Sequence, residues 1–135
     1  MDHVHILLAS KKPASVAALA TALLCRSDCR VSLTDSAAEA RELIGNTDNT
    51  VAVVDKELKD SSGLQFIQEA IAINPFINCA LLSALPPGEF HEQTEGLGIF
   101  MQVPPAPTST DAGKLLEHLG RILELGRPAP SRVHS

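Results

Sequence analysis

Val51-Ala-Val-Val-Asp55-Lys-Glu-Leu-Lys-Asp-Ser-Ser-Gly63 is the stretch that decides how this chain folds. Four consecutive apolar residues, three of them valine, read as a strand covered on both faces, the pattern of a parallel sheet enclosed by helices. The run stops at a carboxylate and passes through polar residues and a glycine into a helical pattern. Asp55 therefore belongs at the carboxyl end of a strand, the edge of an open α/β sheet where loops part and ligands collect. It is the first candidate for a functional side chain.

Outward from that strand the same unit repeats. His3 to Ala9 is an apolar run followed by the break Lys11-Lys12-Pro13. From Pro13, a good first-turn residue, Val16, Leu19, Ala20, Leu23 and Leu24 recur at helical spacing as far as Cys25. Arg30 to Leu33 is a brief strand, and Ser36 with Glu39 offers a capping box to a helix with the stripe Ala37, Ala40, Leu43, Ile44, ended by Gly45-Asn46. After Asp55, Ser61 or Ser62 can cap a helix carrying Leu64, Ile67, Ala70 and Ile71 on one face, ended by Asn74-Pro75. Phe76 to Leu82 is a fourth strand that terminates at Ser83-Ala84. Beyond Pro86-Pro87-Gly88, residues 89 to 95 carry only a weak stripe and predict a short or irregular helix. Ile99 to Val103 is a fifth strand, Pro104-Pro105-Ala-Pro107 a stiff connection, and Thr110 or Asp111 a cap for a last helix with Leu115, Leu116, Leu119, Ile122 and Leu123 inward and Gly126 after it. Residues 1–126 thus read as one domain and 127–135, proline-containing and polar, as a disordered tail.

Five strands alternating with helices call for a three-layer α/β sandwich whose five-stranded parallel sheet runs in the flavodoxin-like order 2-1-3-4-5. That order brings the ends of the first and third strands together and places Ser10, Lys11 and Lys12 beside Asp55.

Composition narrows the partners. With 16 acidic against 11 basic residues the net charge is −5, which repels phosphate backbones, and without Trp or Tyr there is no aromatic platform for single-stranded nucleic acid. No nucleic-acid partner is expected. No run nears the roughly 18 apolar residues of a membrane span, and no secretory leader is legible, so a cytoplasmic location and no membrane contact are expected. Cys25, Cys29 and Cys79 make neither a metal spacing nor an even disulfide set and read as reduced thiols. Cys25 and Cys29, four apart, read as packing residues, and His3 and His5 share a strand face without a third ligand.

With these elements in place, residues 3 to 125 resemble the receiver domain of bacterial response regulators, the CheY-like family. Asp55 stands where the family carries its phosphoryl-accepting aspartate and Gly63 at the family's glycine eight positions later. Leu58 fits the apolar residue three after the aspartate, Ser83-Ala84 the Thr or Ser followed by Ala, Phe100 the switch-position aromatic, and Pro104 the proline of a Lys-Pro pair. The resemblance implies a cis bond at Val103-Pro104 as one alternative that sequence leaves open. It also implies a surface of fourth helix, fifth strand and fifth helix for a possible homodimer, which Leu116 and Leu125 could broaden.

The departures shape the function. The family's acidic pair, which holds Mg²⁺, is matched here by Ser10 and Lys11, and its phosphoryl-gripping lysine by Val103. Asp55 is left as the lone matched carboxylate, with Glu57 adding at most its backbone carbonyl, too few oxygens for octahedral Mg²⁺. Lys11 or Lys12 could pair with Asp55 and take the metal's electrostatic place. The expectation is a stand-alone pseudo-receiver, not an enzyme and without a cofactor, acting in two-component or phosphorelay signalling by binding a histidine kinase, phosphotransfer protein or downstream regulator. The alternative is a working phosphoacceptor at Asp55 that uses Mg²⁺, with Ser83, Lys11 and Ser10 as phosphoryl-site neighbours. A third reading, a flavodoxin-like binder of a small anion, lacks a glycine-rich loop: Ser10-Lys-Lys-Pro13 contains none. For Asp55 itself the bland reading is a turn-capping carboxylate.

Overall fold

The computed structural model of the protein describes residues 4–26, 29–44, 50–75 and 77–125, with side chains described as far as residue 121. Five parallel strands, β1 (Val4–Ala9), β2 (Cys29–Thr34), β3 (Thr50–Val54), β4 (Asn78–Leu82) and β5 (Ile99–Val103), lie in the order β2-β1-β3-β4-β5. The helices are α1 (Ala17–Leu24), α2 (Ala37–Ile44), α3 (Gly63–Ile73), α4 (Pro87–Thr94) and α5 (Ser109–Leu125). This is the flavodoxin-like sandwich that the alternation of elements calls for.

Two cores follow from the pleat. Leu7, Ala9, Ala52, Val54, Cys79 and Leu81 face α2 and α3, while Ile6, Leu8, Val51, Val53, Ala80 and Leu82 face α1 and α5. The central strand β3 is buried at all five positions, as a valine run covered on both faces should be. Burial at Cys79 pushes its thiol up to about 12, so it behaves as a small apolar group.

Several local expectations need correction. The chain does not enter α1 directly at Pro13: a 3-10 turn over Pro13–Val16 comes first, and Leu24 points to solvent at 61% exposure. The short helix expected after strand four is present over residues 87–94, regular through two turns, with Pro86 and Pro87 at its start and buried Phe90 and Thr94 as its anchors. Cap of α5 is Thr108, whose N–H bonds the Asp111 carboxylate at 2.9 Å, and neither Thr110 nor Asp111 holds that position. Half of the Ser36–Glu39 box forms: Ser36 Oγ accepts from the Glu39 N–H at 3.1 Å, but the Glu39 carboxylate takes the Thr34 hydroxyl instead. Ser62, not Ser61, caps α3 by accepting from the Gln65 N–H at 3.1 Å. Phe66, absent from the expected stripe of α3, is fully buried.

The fourth and fifth strands pair with a slip. Cys79 sits opposite Ile99 but Ala80 opposite Met101, so Phe100 is the extra residue of a bulge. It packs half-buried against the α1/α5 core. No peptide bond among the described residues is cis, so Val103-Pro104 is trans. The outward residues described on α5, among them Lys114, Glu117, His118 and Arg121, are polar, and Leu116 packs on the core. Leu125, Gly126 and the expected tail lie outside the residues whose side chains are described, as does His3.

Candidate functional site

Register sets the site. Ala9 pairs with Val54, Val54 with Leu81, and Leu82 with Val103, so β4 and β5 end one residue beyond β1 and β3 at the same edge. The ladder continues one step past it: Asp55 N–H donates to the Ala9 carbonyl at 2.8 Å, Ser10 N–H to Thr34 at 3.0 Å, and Ser83 N–H to Val103 at 2.9 Å. Ser10, Asp55 and Ser83 are thereby held at the carboxyl edge as the sequence places them.

Asp55 is half-buried, and both of its oxygens have partners within the chain. Oδ1 accepts the Lys56 N–H at 2.6 Å and Oδ2 the Ser10 hydroxyl at 2.7 Å. Ser10 is 1% exposed, and its Oγ also lies 3.1 Å from the Lys12 carbonyl. One O–H cannot serve both acceptors, and the shorter, charge-assisted contact to Asp55 takes the proton. The hydroxyl then accepts the Lys12 N–H at 3.1 Å. Ser10 thus fits the turn and the carboxylate at once.

Lys11 does not reach Asp55. Its ammonium pairs with the Glu57 carboxylate at 3.6 Å, while its N–H donates to the Glu57 carbonyl at 3.3 Å. Lys12 lines the small depression that Lys11, Asp55, Lys56 and Glu57 share, but no ion pair joins it to Asp55. The expected lysine–aspartate lock is therefore replaced by a hydroxyl–carboxylate bond and a neighbouring Lys11–Glu57 clasp. The reason is reach: the short Ser10 side chain already points into the space between the two strand ends.

The loop after Asp55 is tightly closed. Leu58, 5% exposed, plugs the α2/α3 core, its N–H donates to Ser61 at 2.8 Å, and Gly63 N–H donates to Lys56 at 2.8 Å. Gly63 has no alternative residue: a Cβ there would lie 2.0 Å from the Asp55 carbonyl oxygen. Asp60, a residue the sequence reading passes over, reaches across to α2 and accepts the N–H groups of Ala37 at 2.6 Å and Ala38 at 3.1 Å. The Ala37 bond foremost, with the Ala38 bond and the charge of Arg41 against a smaller desolvation cost, holds the Asp60 carboxyl below its ordinary range.

On the opposite side Ser83 Oγ accepts the Leu85 N–H at 3.1 Å, which turns the chain away from β4. Gln102, also unmarked in the sequence, donates from Nε2 to the carbonyls of Ser83 at 3.1 Å and Leu85 at 2.8 Å, tying this turn to β5. Val103, at the position of the family's lysine, is 1% exposed within the α1/α5 core. Between the two loops lies a cleft of about 590 Å³ whose lining includes Asp55, Ser62, Leu64, Leu81, Ser83, Leu85 and Pro86.

The donor set does not suit Mg²⁺. Asp55 is the single carboxylate at the matched positions, and the Glu57 carbonyl is engaged by Lys11. Among the described residues no three His, Cys, Asp or Glu side chains converge on a metal position. His5 is buried on β1 with Nε2 2.8 Å from Ser32 Oγ, and burial, then the charge of Arg30, lowers its pKa. Cys25 is exposed, and Cys29 is half-buried against the core.

No family model matches the chain, and no curated protein does. Solved structures do. A CheY-like response regulator receiver domain protein from Methanospirillum hungatei JF-1 superposes with a TM-score of 0.77 at 18% identity, covering 91% of this chain and 98% of its own. The signal receiver domain of an HD domain-containing protein from Pseudomonas fluorescens Pf-5 gives 0.77 at 15%, covering 95% and 96%. A chemotaxis response regulator of Vibrio cholerae gives 0.75 at 13%, covering 87% and 98%. The chain has the CheY-like receiver fold. At such low identity the likeness carries the fold alone, and the chemistry of the site rests on this chain's own residues.

Proposed function

We propose that the chain is a receiver-like signalling module that acts by binding other proteins of a two-component pathway, such as a histidine kinase, a phosphotransfer protein or a downstream regulator, without a Mg²⁺-dependent phosphoryl switch. One observation carries the reading. The groups that would face a metal are turned on each other: Ser10 on Asp55 at 2.7 Å, and Lys11 on the Glu57 carbonyl at 3.3 Å and carboxylate at 3.6 Å. Phosphoryl transfer is mostly positioning and charge stabilisation, so a site without metal or gripping lysine should run slower by several orders of magnitude. No described helix is long and apolar enough to cross a membrane, which is compatible with a freely diffusing partner.

The second reading, phosphoacceptance at Asp55, is favoured by one feature: the carboxylate borders an open cleft together with Ser83. Intact mass after incubation with acetyl phosphate, with and without Mg²⁺ and beside Asp55→Ala, separates the two. The proposal expects no added phosphoryl group under either condition and partner binding that survives Asp55→Ala. A Mg²⁺-dependent gain of one phosphoryl group that vanishes in Asp55→Ala would overturn it.

A further inference from the structure

The cleft beside Asp55 is built unevenly, and the unevenness points to a ligand. Its apolar walls are Leu64, Leu81, Leu85, Pro86 and Pro105, and its volume of about 590 Å³ falls in the range of small-molecule sites. The half-buried charge on its lining is the Asp55 carboxylate, whose two protein partners, the Ser10 hydroxyl and the Lys56 N–H, are neutral. No ion pair reaches it among the described residues, because Lys11 is held by Glu57. Two accepted hydrogen bonds leave a carboxylate with capacity for about two more.

We infer that this cleft binds a small organic cation, an ammonium or guanidinium group on an apolar body, with the charge on Asp55 and the body against the leucine and proline walls. A divalent metal would need further oxygen ligands and would gain nothing from these walls. Lys56 and Glu57 also border the cleft, but both side chains are exposed and of opposite sign, so solvent screens them and their fields oppose. The partly desolvated carboxylate therefore sets the preferred charge. Ser62, Ser83 and Gln93 add neutral polar atoms that can orient the group. The walls are also stiff: Gln102 pins the Ser83 and Leu85 carbonyls at 3.1 and 2.8 Å, and two prolines fix the backbone beside them. A preformed cleft loses little freedom when it is filled.

Three probes of one shape and different charge test this on the full chain: 2-phenylethylamine, 2-phenylethanol and phenylacetate, followed by amide NMR shifts. The amine should shift residues around Asp55, Leu64 and Leu85 and bind about tenfold tighter than the alcohol. In Asp55→Asn, which keeps the shape and an acceptor toward Ser10, that preference should disappear while the alcohol binds as before. Equal binding of all three probes to the natural chain, tighter binding of phenylacetate, or no shift at the cleft would overturn the inference. The probe comparison needs no variant, and neither it nor Asp55→Asn depends on phosphoryl chemistry, so its outcome is separate from that of the acetyl phosphate experiment.

Discussion

The two sides of Asp55 differ in how their polar groups are satisfied. Toward β1, the Ser10 hydroxyl, the Lys11 N–H and the Lys11 ammonium all end on Asp55 or Glu57, and Asp60 fastens the same loop to α2. Toward β4, Ser83 and, from β5, Gln102 bond only the backbone of the turn after β4, and a cleft stays open between Leu64 and Leu85. One carboxylate thus faces a closed polar corner and an open apolar one. The contrast teaches that in a CheY-like fold one strand-end carboxylate can be met by internal hydrogen bonds on one side while the loop on the other side leaves a cleft beside it.

The strongest way to break the contrast is Gly63→Ala. Its Cβ would meet the Asp55 carbonyl oxygen at 2.0 Å and Val54 Cγ1 at 3.1 Å. Backbone cannot yield as a flexible side chain does, so a loss of about 3 kcal/mol or more is expected, read as a lower urea midpoint with unchanged slope. Next is Gln102→Ala, which removes both ties of the β4 turn and should cost about 1–2 kcal/mol. Amide exchange should quicken at Leu85 but not at Leu58 or Gly63; equal quickening in both loops would mean that the two sides are one unit.

Asp60→Asn is expected to do less, because the side chain is exposed and water can take its place at the α2 N-terminus. Its pH dependence sharpens the test. The carboxyl is held below the ordinary 3.8, so the folded state binds fewer protons than the unfolded chain, and the contribution is present above 3.8 and lost as pH falls through the folded value. The natural chain should therefore lose stability in that acid window faster than Asp60→Asn, as followed by thermal melts. Parallel acid losses would remove Asp60 from the closed corner.

The strands were legible because burial on both faces leaves valine and leucine runs that no solvated element needs. Asp55 and Ser83 were legible as the first polar residues after such runs. Lys11 was harder: spacing brought it to the correct strand end, but only the path of the turn after Ser10 decides that its ammonium meets Glu57 at 3.6 Å. Asp60 and Gln102 left no local signal, since their partners lie 22 to 23 and 17 to 19 residues away in sequence. The bulge at Phe100 was likewise hidden, because a slip in pairing changes no residue type. Thr108 escaped for a smaller reason, a one-turn ambiguity among several residues able to cap α5.

The closed corner is tested most directly by titrating the chain with Mg²⁺ through millimolar concentrations while following the amides of Ser10, Lys11, Asp55 and Glu57, with Lys11→Asp as the reference. No saturable shift is expected in the natural chain and a saturable one in Lys11→Asp, where the ammonium gives way to a second carboxylate beside Asp55. Saturable shifts centred on those residues in the natural chain would contradict that expectation and return the site to metal-dependent phosphoryl chemistry.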